Sequence, residues 1–171
     1  MRTLIIICLI AFTISDNASS IKRHLLNHGF TKEGTAGIMG NLYVKSKFNP
    51  KAYELSKQKK IGLSNEEYIR KTNDGTYKNF INDKVGFGIA QWTYHKRKKA
   101  LLEMCKGKIG DLHCQLNFLV KEIHGQKKLY SILTTTKDVN TACDRVLIDF
   151  ENGKNYKKKI NERRSFCRRY L

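Results

Sequence analysis

Apolar side chains recur every three or four positions along most of the chain, the spacing of one buried helix face rather than the alternation of a strand. Ile21, Leu25 and Leu26 predict a first helix, capped by Ser20 and stopped at Gly29. Thr31 is placed to cap a second that runs to about Lys45, with Ile38, Met39 and Leu42 inward, and Asn49-Pro50 ends that region. Residues 51–84 lose the rhythm: they are polar and turn-rich ("TNDGTYKNFINDK") and suit an excursion with a short hairpin at Asp74-Gly75. Helices resume after "GFGIAQW". One carries Ala100, Leu101 and Cys105, and the next, begun at Asp111, carries Leu112, Leu116, Leu119 and Ile123. A third, capped near Asn140, places Cys143, Val146, Leu147 and Phe150 on one stripe, and the last carries Tyr156, Ile160 and Cys167. The pattern predicts a mainly α domain, a helical bundle with a small hairpin or loop excursion.

The N-terminus reads differently. A single basic residue, Arg2, precedes the apolar run Leu4 to Ile14, and small residues follow. That order is the order of a secretory signal, and the run is too short to span a bilayer. The expected division is a leader over residues 1–18, its boundary lying between 15 and 20, and one domain over 21–171. No second apolar run approaches membrane length, so the mature protein is expected to be soluble, secreted and monomeric.

Cysteine usage fits export. Cys8 leaves with the leader, and Cys105, Cys114, Cys143 and Cys167 remain, an even set in an oxidising compartment. Cys143 and Cys167 lie on the apolar stripes of successive helices, which favours their pairing. Cys105 and Cys114 flank a short Gly-containing turn and form the other bridge. The spacing does not resemble a zinc site, and neither a metal nor another cofactor is expected. With 33 basic against 15 acidic residues in 171, the formal charge is +18. Such a surface is drawn to polyanions, whether bacterial envelopes, anionic membranes, glycans or nucleic acid.

Two stretches carry candidate chemistry. Gly37 and Gly40 sit inside the second helix, where each glycine costs about 1 kcal/mol relative to alanine. A close neighbour, either another helix or a ligand, must justify them. The stretch "GFGIAQWTYHKRKKALL" (86–102) joins a Gly-x-Gly turn to Gln91, Trp92 and Tyr94. Aromatic and amide side chains on a turn suit carbohydrate, the ring stacking on an aromatic face while amides bind hydroxyls. The alternative makes Trp92 core and Gln91 a cap. Gly-x-Gly without a preceding strand and a third glycine is no dinucleotide signal.

Taken together, "GFTKEGTAGIMGNLYVKSKFNP", "NDGTYKNFINDKVGFGIAQWTYHKRKKALL" and "IGDLHCQLNFLVKEI" resemble, in order and separation, the phage tail lysozyme family of the lysozyme-like superfamily, over about residues 21–171. The resemblance implies a mainly α (α+β lysozyme-like) fold with the excursion beside a substrate cleft, and a bacterial wall glycan as substrate. The family motif Gly-Asn-Leu-x-x-Glu-Ser-x-x-Asn-Pro is matched by Gly40, Asn41, Leu42, Ser46, Asn49 and Pro50, but Lys45 falls on the glutamate, the general acid. The stretch Gly86 to Trp92 resembles the second signature, which lines the cleft. The resemblance thus makes Asn41, Ser46, Asn49, Gly86, Phe87, Gly88, Gln91, Trp92 and Tyr94 candidate substrate-binding residues.

Glycosidic cleavage needs a proton donor, as a rule a carboxylic acid tuned toward pKa ~6. An ordinary lysine, at ~10.4, lies about 6 kcal/mol too high. Losing general acid catalysis forfeits about 10²–10⁴ in rate. Glu54 and Asp83, near the two signatures in sequence, are the carboxylates that could stand in; each is otherwise an exposed loop charge. Three functions follow: an impaired lysozyme-like protein that still binds peptidoglycan or a related wall glycan, a working muramidase that uses another carboxylate, or a cationic binder of anionic surfaces or nucleic acid; the partner is then a bacterial cell-wall glycan or another anionic envelope. No nucleic-acid motif is present, so no specific nucleic-acid partner is expected.

Overall fold

A computed structural model describes residues 16–151 and 156–171, so most of the expected leader lies outside the described residues. Nearly all regular structure is helical: α1 (16–27), α2 (Lys32–Ser46), α3 (Leu55–Ile61), α4 (Asn65–Asn73), α5 (His95–Met104), α6 (Leu112–Gly125), α7 (Lys127–Thr135), α8 (Val139–Arg145) and α9 (Tyr156–Arg168). A π-helical turn, Val146–Phe150, continues α8. Chain contacts divide into two compact units: residues up to Phe48 with Val120–Leu171, and Asn49–Leu119.

In the first unit α2 is the central element, packed by α7, α8 and α9. Thr31 caps it as expected, its hydroxyl accepting the N–H of Gly34 at 2.9 Å. Gly37 and Gly40 answer to helices rather than to a ligand. A Cβ on Gly37 would lie 2.6 Å from that of Ala142 on α8, and one on Gly40 would collide with the backbone of Cys167 on α9. The Cys143–Cys167 disulfide fastens α8 to α9 beside this contact. Lys47 and Phe48 then take left-handed backbones, φ 53° and 63°, which turn the chain away after α2. Phe48, Tyr43, Phe166 and Tyr170 pack together there.

Three details of the sequence reading change. α1 is already helical at Asp16, so Ser20 is not its cap, and Leu26 is exposed while Ile21 and Leu25 are buried. Asp138 rather than Asn140 caps α8, accepting the N–H groups of Asn140 and Thr141. The helix α7 adds a segment that the apolar pattern had not resolved.

The second unit is more helical than its polar sequence suggested. Ser64 and Glu67 form a reciprocal capping box that starts α4, and Asp74-Gly75 ends that helix instead of turning a hairpin. Strand-like pairing is confined to isolated bridges at Tyr53, Phe87 and Trp92. The core stacks Tyr53 on Tyr68 at 4.7 Å and adds Phe80 and Phe87. The Cys105–Cys114 disulfide joins the end of α5 to the start of α6.

Candidate functional site

Lys45 occupies the last turn of α2, and its ammonium pairs with Glu151 at 3.1 Å. Glu151 follows the π-helical turn directly, its N–H donating to the carbonyl of Val146 at 3.1 Å. The widened turn delivers the carboxylate to α2, and a π turn is a device often found where one side chain must be re-aimed. The Glu151 side chain is 7% exposed. Arg163 of α9 reaches the same carboxylate through both terminal nitrogens, at 3.2 and 3.4 Å. Arg163 also donates to the carbonyl oxygen of Asn41 at 2.9 Å, so the cluster ties α2, the π turn and α9 together. The two oxygens of Glu151 are thus shared between two cations, in charge-assisted hydrogen bonds.

The neighbouring motif residues have structural partners. Asn41, fully buried, donates from its amide to the carbonyl oxygens of Gly37 and Cys143, at 2.9 and 3.0 Å. Ser46 is buried and bonds back to the carbonyl of Leu42 at 3.3 Å. Asn49 is exposed and accepts the N–H of Lys51 at 2.9 Å, a short-range turn contact.

In the second unit, residues 86–92 form a tight turn held by two glutamines. Gly88 has φ 74° and lies so close to Gln115 that a Cβ there would approach its side-chain oxygen to 2.5 Å. That same oxygen accepts the N–H of Ile89 at 2.9 Å, while the Gln115 amide nitrogen donates to Pro50 and Ile109 at 2.7 and 2.6 Å. Gln91 adopts φ 53° and donates to the carbonyls of Ala52 and Gly88, at 3.1 and 3.0 Å. Phe87 is fully buried and Gly86 buried. Trp92 is 1% exposed, edge-on to Phe118 at 5.3 Å, so its indole has no free face for a sugar ring. Tyr94 is 53% exposed beside His95 and keeps such a face.

The two alternative carboxylates differ sharply. Asp83 is no exposed loop charge. Its side chain is 2% exposed, and it accepts from Lys98 at 2.5 Å, Tyr68 at 2.6 Å, the N–H of Val85 at 2.9 Å and Tyr77 at 3.4 Å. Four donors surround the carboxylate, which ties it into the interior of this unit. Burial pushes the Lys98 ammonium down, against the opposing pull of Asp83, and pushes the Tyr68 hydroxyl up. Glu54 is half-buried at the start of α3 and accepts the Ser56 hydroxyl at 2.7 Å and the N–H of Gly86 at 3.5 Å. Its described partners are a hydroxyl and a backbone amide, not a cation.

Sequence reasoning missed Glu151, Arg163 and Lys98. The last two carried a usable signal. Arg163 falls on the Ile160–Cys167 stripe, and Lys98 falls three positions before Leu101 on the stripe that continues to Cys105. A cation on an apolar stripe is buried and requires a carboxylate. Nothing local marks Glu151. Among the described residues no group of three His, Cys, Asp or Glu could hold a metal, and no helix is long and apolar enough to cross a membrane.

Compared with known sequences, the chain finds no match among curated proteins. The family model described as phage tail lysozyme, by contrast, matches residues 16–171, which includes both the α2 motif and the 86–92 turn. On that match, the chain belongs to the phage tail lysozyme family.

Proposed function

We propose that the protein is secreted and strongly basic, binds bacterial peptidoglycan or a related wall glycan, and has impaired or absent muramidase activity because Lys45 replaces the general acid. A lysozyme-like, peptidoglycan-related function follows from the family. The observation that carries the loss of activity is the cluster at Lys45. The position where the motif places a proton donor holds an ammonium paired to Glu151 at 3.1 Å, and Arg163 occupies the rest of that carboxylate. Binding falls to exposed groups. Tyr94 is the aromatic face that remains, and Asn49 the exposed motif amide.

Secretion rests on the leader reading, and two disulfides support an oxidising compartment. We place cleavage after Ser15, where Thr13 and Ser15 fit the small-residue rule; Asn17, within α1, then stays in the mature chain, where it donates to the carbonyl of Phe48 at 3.1 Å. The mature charge is then +17, since Arg2 is the only charged residue removed.

One observation favours a second reading, a muramidase that uses Glu54. Glu54 is half-buried, has no described cationic partner, and pairs backbone to backbone with Gly86 at 2.9 Å. Purified walls decide between the two. Retention on insoluble peptidoglycan at ~1 M salt, where the Debye length shrinks to about 3 Å, together with no release of reducing sugar, supports binding without cleavage. Release that Glu54→Gln abolishes supports the second reading. Binding that collapses in salt leaves only a cationic binder of anionic surfaces.

A further inference from the structure

The second unit holds a pocket of about 540 Å³, lined from α3 and from the segment that leads into the 86–92 turn. Lys57, Lys60 and Lys84 line it together with Tyr77 and the amides of Asn79 and Asn82. The described residues contain no carboxylate paired to any of the three lysines. Asp83 also lines the pocket, but its oxygens face Lys98, Tyr68, Tyr77 and the N–H of Val85, so its charge is cancelled from within. The pocket is therefore net cationic by the three lysines. Lys84 adopts φ 59°, a left-handed backbone that a lysine rarely takes, and strained non-glycine residues of this kind concentrate at ligand sites.

We infer that this pocket binds a phosphate ester carrying hydroxyl groups, the repeating chemistry of a polyol-phosphate wall polymer, as a second site separate from glycan binding. Lysine ammoniums are compact point charges that suit a tetrahedral group with spread charge. The planar fork of arginine, which matches carboxylates two bonds at a time, is absent from the lining among the described residues. Amides donate to and accept from the neighbouring hydroxyls. A nucleic acid fits less well, because base stacking needs an open aromatic face and Tyr77 is packed against Tyr68 at 5.3 Å.

The test titrates the full mature protein with glycerol 3-phosphate, followed by amide chemical shifts, beside the Lys57→Gln/Lys84→Gln variant. The inference expects saturable shifts at Tyr77, Asn79 and Asn82, affinity at least tenfold weaker in the variant, and acetate at the same ionic strength competing poorly. It also expects the variant to lose retention on walls carrying phosphate polymer while keeping wild-type retention on walls stripped of it. That last arm separates this site from the glycan reading, which fails only if stripped walls are not bound. Equal affinity in the variant, equal competition by acetate, or a short single-stranded oligonucleotide displacing the probe at lower concentration overturns it.

Discussion

Replacing Lys45 by glutamate restores the motif and also places a carboxyl beside Glu151. Lysine reaches Glu151 at 3.1 Å, and a glutamate side chain is shorter by one to two bonds. The introduced carboxyl therefore falls about 5–6 Å from Glu151, taking bonds of about 1.5 Å. At an effective dielectric near ~20, two like charges at that separation repel by about 3 kcal/mol. Arg163, already bonded to Glu151 at 3.2 Å, offsets part of this. Taking about half, ~1.5 kcal/mol raises an ordinary glutamate from ~4.3 to about 5.4 at 1.36 kcal/mol per pKa unit.

Such a group is about half protonated near pH ~5.4 and about 2–3% protonated at pH 7, so the gain is largest in mild acid. General acid catalysis is worth about 10²–10⁴. We expect at least a tenfold rise in sugar release from purified walls at pH ~5.5, shrinking toward neutrality. Losing the ion pair and gaining repulsion costs about 2–3 kcal/mol, a fall in Tm of about 5–10 °C for a chain of this size. Lys45→Gln, which keeps reach without the carboxyl, gains no activity. The Lys45→Glu/Glu151→Gln variant moves the optimum further into acid, because the raising charge is gone. A folded, glycan-retaining Lys45→Glu protein that releases no more sugar than wild type from pH ~4.5 to ~7.5 refutes the reasoning.

Four further outcomes are expected. Gly40→Ala lowers Tm by several degrees, because the added methyl meets the Cys167 backbone, which cannot step aside; overpacking of this kind costs about 1–3 kcal/mol or more. Trp92→Ala destabilises by about 3–5 kcal/mol as a core truncation, whereas Tyr94→Ala leaves the melting transition in place and weakens salt-resistant peptidoglycan retention. Lys98→Met costs about 3–5 kcal/mol by stranding buried Asp83, and the Lys98→Met/Asp83→Leu pair recovers much of it, as denaturant midpoints will show. Burial, with Asp83 close by, pushes the Tyr77 hydroxyl up to about 12, and burial with Tyr43 nearby does the same for Tyr170. The unfolded chain deprotonates them first, near ~10, so their contribution to stability is complete below that pH and is lost as pH rises toward 12. Spectrophotometric phenolate titration beside alkaline unfolding measures both.

Much of the fold could be read from periodicity, because helix faces that bury aliphatic residues declare themselves. Thr31, the stripe through Cys143 and Phe150, and the glycines of α2 all act in the structure as helix logic requires. The disulfides join the cysteines that the stripes and the short turn bring together. The excursion was misread because α3 and α4 are short and polar, although Ser64 and Glu67 already spelled a capping box. The sites were less legible. Asn41 and Trp92 look like ligand groups in a motif, yet each satisfies a packing or hydrogen-bonding need of its own unit. Glu151 pairs with Lys45 across a long sequence separation through a π turn, and no local pattern announces such a turn.

Sugar release by the unmodified protein, assayed on purified peptidoglycan at saturating retention in ~1 M salt, bears most directly on the claim of a binder whose acid is lost. A retained protein that releases reducing ends no faster than a heat-inactivated control is the predicted result. Steady release that survives Lys45→Gln and disappears in Glu54→Gln contradicts it, and makes the protein a muramidase whose acid has moved.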